Sequence, residues 1–429
     1  MTQRYSQRKT PQTTAEIPAG RRRRRPAPGR PGVASALLTA AMWACSVGAP
    51  QLHAACVENP NPPVLATIIP PCDGDGILGD NLCANDFGQH VMTRPDVATD
   101  PTAEVNDQLV VFLTGAGGEP AKSQNLLFTA GHYGFRSLGV AYDTGGLASQ
   151  LQNICQALTT EPAAQDCYAE GRHRAAFGIT GVHTTAPPVG LYTTTIHDTV
   201  EVRLRRLLVQ LAAQDTDGAW DDFLDAGSCT SLIPEGEAVA ECEDDVLWHK
   251  IIIVGWSGGA GIAQHIGREH QLHGVIMLDG VADAYSPAGG TDIAALTQGL
   301  TGDDVWAVVH DQNNVAGGRP GFMRDQWDAL GIPDLGVGTE LQLDATTCGG
   351  DSQKGTRVDN HRFFVDNPCF ANNVHASVVV DNKMLVDNQL CGACTTAAAN
   401  SPTTNYMLHN AYAHILCRAE KCGGGGICP

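Results

Sequence analysis

Positive charge is scarce once the first 55 residues are set aside. The 429-residue chain carries 27 Lys and Arg against 46 Asp and Glu; nine of the basic residues and one acidic residue fall in 1–55, leaving 18 against 45, a net charge of about −27. So negative a surface repels nucleic acid and anionic membranes. Neither is expected as a partner, whereas a neutral ester, a cationic substrate or an apolar polymer is compatible. Long apolar runs are missing too. The charge-free stretch from Gly32 to about Ala49 is short for a membrane span, so no stable membrane insertion is expected. No internal repeat is present, which excludes solenoids and arrays. Cys391-Gly-Ala-Cys394 has no second CxxC and no His pair at zinc-ligand spacing. It is read as structural, and no metal or cofactor is expected.

Residues 1–55 read as a secretory signal. A basic segment with Arg21–Arg25 and Arg30 precedes the apolar stretch, and the small residues Ala54 and Ala55 close it. The chain lacks a clean twin-arginine consensus. Cysteine usage agrees with export. Of 15 Cys, one (Cys45) lies in the signal, and the even remainder is expected to staple loops. Sequence-close pairs are Cys72 and Cys83, Cys155 and Cys167, Cys229 and Cys242, and Cys348 and Cys369.

Residues 56–105 are rich in Pro, Asp, Asn and Gly and read as an N-terminal arm without a core of its own. Asp73-Gly-Asp75-Gly76, followed by Asp80 and Asn81, offers oxygen ligands but lacks the third Asp and distal Glu of an EF-hand loop. It reads as an acidic turn between two cysteines. Over 106–395 a single α/β domain is expected. Leu109–Leu113 is a buried strand ending in Thr114-Gly-Ala-Gly-Gly118; a helix to about Tyr133 and a strand at Leu138–Tyr142 complete a βαβ unit. Residues 144–196 are a loop-rich insertion. Val200, Leu204, Leu207, Leu208 and Leu211 have helical spacing, and 214–247 is a second insertion bracketed by cysteines. Strands are expected at Val275–Leu278, Val305–His310 and Glu340–Leu343, with a helix near Phe322–Leu330. Residues 396–429 suggest a Cys-rich final helix, about Asn405–Cys417, and tail. Alternating strands and helices imply a mainly parallel, doubly wound sheet with disulfide-stapled insertions.

The sharpest signal is Ile251-Ile-Ile-Val-Gly-Trp-Ser-Gly-Gly259 and the helix-compatible segment after it. A β-branched run enters Gly255-Trp256-Ser257-Gly258-Gly259, which fits G-x-S-x-G, the nucleophile elbow of the α/β-hydrolase fold. Small flanking residues suit a strained turn, and a helix N-terminus favours developing negative charge. A serine nucleophile needs a histidine base, an acid and oxyanion donors, in the chain order Ser, acid, His. The Gly258 N–H is one donor, and the loop after Leu113 supplies Ala116 as the second. Three carboxylates follow strand ends: Asp279, Asp283 and Asp311. Asp311, which directly follows Trp306–His310, is preferred, with Asp283 next. Among His361, His375, His409 and His414, the loop residue His375 beside Val378–Val380 suits a base, with His361 next; His409 and His414 fall on the expected terminal helix.

The order of segments resembles a poorly characterised family of exported bacterial serine-hydrolase-like proteins. The matching pieces are Leu109–Gly118, Arg203-Leu-Arg-Arg-Leu-Leu208, the elbow, Gln326-Trp-Asp-Ala-Leu-Gly331 and His375–Asp381. The elbow carries Trp256 and Gly258 where that family usually has His and Gln, and Asn313 stands where an acid three residues beyond His310 is expected. The resemblance implies hydrolase chemistry and supplies no substrate. The expectation is an exported serine hydrolase that cleaves a small-molecule or polymeric ester through Ser257, His375 and an Asp. The alternative is a non-catalytic binding or surface protein on the same scaffold.

Overall fold

In the computed structural model the described residues are 59, 61–68, 89–144, 151–155, 157–158, 160–194, 196–225, 246–280 and 305–310, with 327, 332, 341–342, 362–365 and parts of 412–419. Among them nine strands form one sheet: β1 Val64–Ile68, β2 His90–Arg94, β3 Leu109–Leu113, β4 Arg136–Val140, β5 Ile251–Trp256, β6 Gly274–Leu278, β7 Val305–His310, β8 Leu341–Gln342 and β9 Arg362–Val365. Their order is β1-β2-β4-β3-β5-β6-β7-β9-β8. β1 and β2, and β2 and β4, pair antiparallel; every other pairing is parallel.

The central strands form where apolar residues run unbroken. Leu109–Leu113 and Ile251–Val254 are buried along their whole length, as expected of parallel strands covered on both faces. Helix α1 (Gln124–His132) contributes Leu126, Leu127 and Ala130 to one face. Tyr412, Ile415 and Leu416, which lie in helical backbone, join that face. The other face is covered by α2 (Glu161–Phe177), α3 (Val200–Gln214) and α4 (Gly258–Glu269). Thr199 caps α3 by accepting the Val202 N–H, and Leu204, Leu207, Leu208 and Leu211 form its buried stripe. The molecule is thus a mixed, mostly parallel α/β sheet with helices on both faces.

Four sequence expectations change. The arm over 56–105 contributes β1 and β2 and belongs to one unit with the remainder of 52–429. The 144–196 insertion holds a 17-residue helix, α2. The strand expected at Leu138–Tyr142 begins two residues earlier, at Arg136. Arg362–Val365 adds a strand, β9, that was not anticipated. Thr216–Gly218 and Trp220–Phe223 make short 3-10 turns, and Leu224 bridges antiparallel to Val246 at the base of the second insertion. Cys155 and Cys167 form a disulfide that ties a π turn at Leu151–Cys155 to α2. The signal segment, the acidic turn at 73–81 and the other sequence-close cysteine pairs lie outside the described residues. Among the described residues no helix is long and apolar enough to cross a membrane.

Candidate active site

Ser257 stands between the central strand β5 and helix α4, with φ 54° and ψ −118°. A side chain resists this region of backbone space, so the turn must be held from outside. The Ser257 N–H donates to the Leu278 carbonyl at 3.0 Å, and the Ser257 carbonyl accepts from Ala260 N–H at 3.1 Å. The flanking glycines leave no room for substitution. A methyl group at Gly255 collides with the Gly259 carbonyl and comes within 2.6 Å of the Ala260 Cα; one at Gly259 collides with the carbonyls of Leu113 and Thr114; one at Gly280 falls 2.7 Å from the Ser257 carbonyl oxygen. The elbow therefore closes only because three approaching backbones lack side chains.

Sheet register brings the Gly-rich loop to the same place. Leu113 pairs with Gly255 across β3 and β5, so the chain leaving β3 meets the turn leaving β5. Gly115 is buried directly against the serine, and a methyl on it falls 2.7 Å from the Ser257 Cβ. Ala116, the next residue, is exposed, and Ser257 and Gly258 are half-buried. The loop is itself held: Gly118 N–H donates to the Gly115 carbonyl at 2.9 Å, and Gly117 N–H to Thr144 Oγ1 at 3.1 Å. Gly258 begins α4, where N–H groups have no intrahelical acceptor and the helix dipole favours negative charge.

Of the expected site residues, the structure brings Ser257, Gly258 and Ala116 to one end of the sheet. Asp311, Asp283, His375, His361, His409 and His414 lie outside the described residues. Asp279 is described. It follows β6, is fully buried with φ 49°, and donates its N–H to the Val308 carbonyl at 2.6 Å. Its neighbour Gly280 packs on the serine turn, so a carboxylate-bearing segment adjoins the elbow.

Sequence reasoning missed a second group of reactive side chains further along α4. His265 and Glu269 of that helix gather with His173 of α2 and His183 of the 178–190 loop. The i, i+4 spacing of His265 and Glu269 was the only local signal. The other two members come from segments 82 or more residues earlier. Comparison of the chain with protein-family models and with curated proteins finds no match, so the geometry carries the functional argument.

Proposed function

We propose that this protein is an exported serine hydrolase of the α/β-hydrolase fold that cleaves carboxylic esters. The observation that carries the reading is Ser257: a non-glycine residue in left-handed backbone, at the end of a central parallel strand, above a helix N-terminus. Strain of this kind persists where surrounding structure enforces it and clusters at functional sites. Support comes from the loop after β3, whose backbone approaches the serine as a second oxyanion donor must. The strand order, with one antiparallel member between β1 and β4, supports the same fold.

In this mechanism Ser257 Oγ attacks the ester carbonyl carbon and gives its proton to His375. The N–H groups of Ala116 and Gly258 hold the oxyanion. The intermediate collapses, His375 protonates the departing alcohol, and an acyl-enzyme remains. Water, deprotonated by the same imidazole, releases the acid and restores Ser257. Asp311, with Asp283 as the alternative, orients His375. Export accords with the basic-apolar-small order of 1–55 and with the Cys155–Cys167 disulfide.

Labelling of the folded protein by a fluorophosphonate tests the proposal. Wild type is expected to label stoichiometrically and Ser257→Ala not at all, with ester hydrolysis reduced by about 10³-fold or more. A folded wild type that resists labelling and leaves short-chain nitrophenyl esters intact overturns the enzyme and leaves the non-catalytic scaffold.

A further inference from the structure

The three imidazoles of His173, His183 and His265 form a nearly equilateral triangle, with ring centroids 5.2, 5.4 and 5.3 Å apart. One ligand atom from each ring and a Glu269 carboxylate oxygen all lie within 4.8 Å of one another. His173 Nδ1 and His265 Nε2 are 3.2 Å apart, and His183 Nε2 and Glu269 Oε1 are 3.9 Å apart. Tetrahedral zinc with Zn–N near 2.0–2.1 Å places its ligand atoms about 3.4 Å from each other, a spacing the two measured distances bracket. From these distances we propose that His173, His183, His265 and Glu269 bind a divalent transition metal of the zinc type, as a structural site separate from Ser257.

Three further observations bear on this assignment. First, His183 Nε2 is buried and has no hydrogen-bond partner among the described residues, an arrangement that costs free energy unless a cation or water completes it. Second, the loop that carries His183 is held before any metal arrives. Glu170 of α2, whose side chain is wholly buried, accepts the N–H groups of Gly181 at 2.6 Å and His183 at 3.0 Å and pairs with Arg174 at 3.0 Å. That carboxylate orders the loop carrying His183. Third, burial drives the imidazoles toward the neutral form that ligates: His173 is lowered to about 4, His183 is lowered, and His265 is pushed well below the usual histidine value. Arg172 and Arg268 also face the cluster and oppose a cation; Glu269 and the nearby Glu170 offset them.

Three nitrogens and one oxygen in a mostly buried setting suit zinc better than calcium or magnesium, which take oxygen ligands. His173 and His265 are 6% and 1% exposed, His183 is half-buried and Glu269 lies at the surface, so the carboxylate forms the open edge of the site. His265 lies eight residues along α4 from Ser257, a rise of about 12 Å, so the metal does not touch the nucleophile. It clamps α2 and the 178–190 loop onto the helix that carries the elbow.

The test uses the full chain, freed of any affinity tag and stripped by a chelator, then titrated with Zn²⁺ against a chromophoric competitor and with Co²⁺ by visible absorption. Wild type is expected to take up one equivalent, give the intense absorption of tetrahedral Co²⁺, and melt at higher temperature with Zn²⁺. His183→Gln and Glu269→Gln alter half-buried or surface positions, so folding should survive. Each is expected to weaken binding by about a hundredfold or more and to abolish the thermal shift. Ser257→Ala is expected to bind as wild type does, which separates this result from the fate of the hydrolase proposal. Failure of the folded wild type to bind stoichiometrically, or undiminished binding by both variants, overturns the assignment.

Discussion

Gly115 lies so close to Ser257 that a methyl group on it would fall 2.7 Å from the serine Cβ and 3.1 Å from the Trp256 carbonyl oxygen. Real Cβ atoms essentially never come within 3.0 Å of another heavy atom, and the 2.7 Å neighbour is the serine Cβ, fixed to a strained backbone; the Trp256 ring, 3.2 Å from the added methyl, closes the other side. Gly115→Ala must therefore push the loop and the elbow apart. The donor at Ala116 moves with the loop. Because displacements of about 1 Å can cost about 10²-fold in rate, Gly115→Ala is expected to slow fluorophosphonate labelling by that order while far-UV circular dichroism stays native. Gly117→Ala is the control: its φ is 68°, but among the described residues no atom beyond its chain neighbours lies within 4 Å of the added methyl. It should lose roughly 1 kcal/mol of stability and keep most of its labelling rate.

The same strain makes a prediction about stability. At φ 54° and ψ −118° a Cβ is a liability that glycine does not carry. Ser257→Gly and Ser257→Ala should both abolish labelling. Ser257→Gly should be the more stable of the two by about 1–2 kcal/mol, read from urea midpoints. Equal midpoints would show that the turn is relaxed.

What the amino-acid sequence revealed and what it hid follow one physical division. The strands at 109–113, 251–256 and 305–310 were legible because strands buried on both faces are continuous apolar runs. Helix α3 was legible through its leucine stripe. Helix α2 was not, because its buried positions include Glu170, Arg172, His173 and Arg174, whose partners lie elsewhere in the chain. Strand β2 hid for the same reason. Its buried Thr93 donates to the Leu127 carbonyl at 2.7 Å, and Arg94 grips Asp215 through Nε at 2.8 Å and Nη2 at 2.8 Å. β4 starts at Arg136, which packs over the Phe223 ring and donates to Asp222 at 3.2 Å, so a polar residue masked the strand start. At the site, Ser257 was legible because its motif is local. Ala116 followed from strand order. The histidine cluster was not legible, because three separated segments assemble it.

Arg203 and Asp198 give a third prediction. Their side chains are 2% and 6% exposed; Arg203 Nη2 donates to Asp198 Oδ1 at 2.6 Å, and Nη1 to the Ala141 carbonyl at 3.0 Å. Removing one partner of a buried pair strands the other's charge, so Arg203→Ala should cost about 3–5 kcal/mol. Replacing both, with Met at 203 and Leu at 198, should recover much of that loss. A urea series on the single and double variants measures it, and additive losses would show that the pair is not coupled.

The last prediction concerns acid. His90 opens β2, is 1% exposed, and its Nδ1 accepts the Ala141 N–H at 3.0 Å. That bond requires a neutral ring with its proton on Nε2. Burial first, and the Arg203 guanidinium second, lower its pKa from 6.5 to about 3. Well above pH 6.5 neither the folded nor the unfolded chain holds the extra proton, and the full stability is present. Below it the unfolded chain takes up a proton that the folded one refuses. Stability therefore falls as pH drops from about 6.5 toward 3, by up to about 1.4 kcal/mol per pH unit from this group alone. His173 acts with the same sign down to about 4, so urea midpoints should be measured with chelator present to keep metal from obscuring the slope. In His90→Asn the amide oxygen can still accept from Ala141 but cannot titrate. This variant should show a slope shallower by up to the same 1.4 kcal/mol per pH unit between pH 6 and 4, and an unchanged slope would remove His90 as its source.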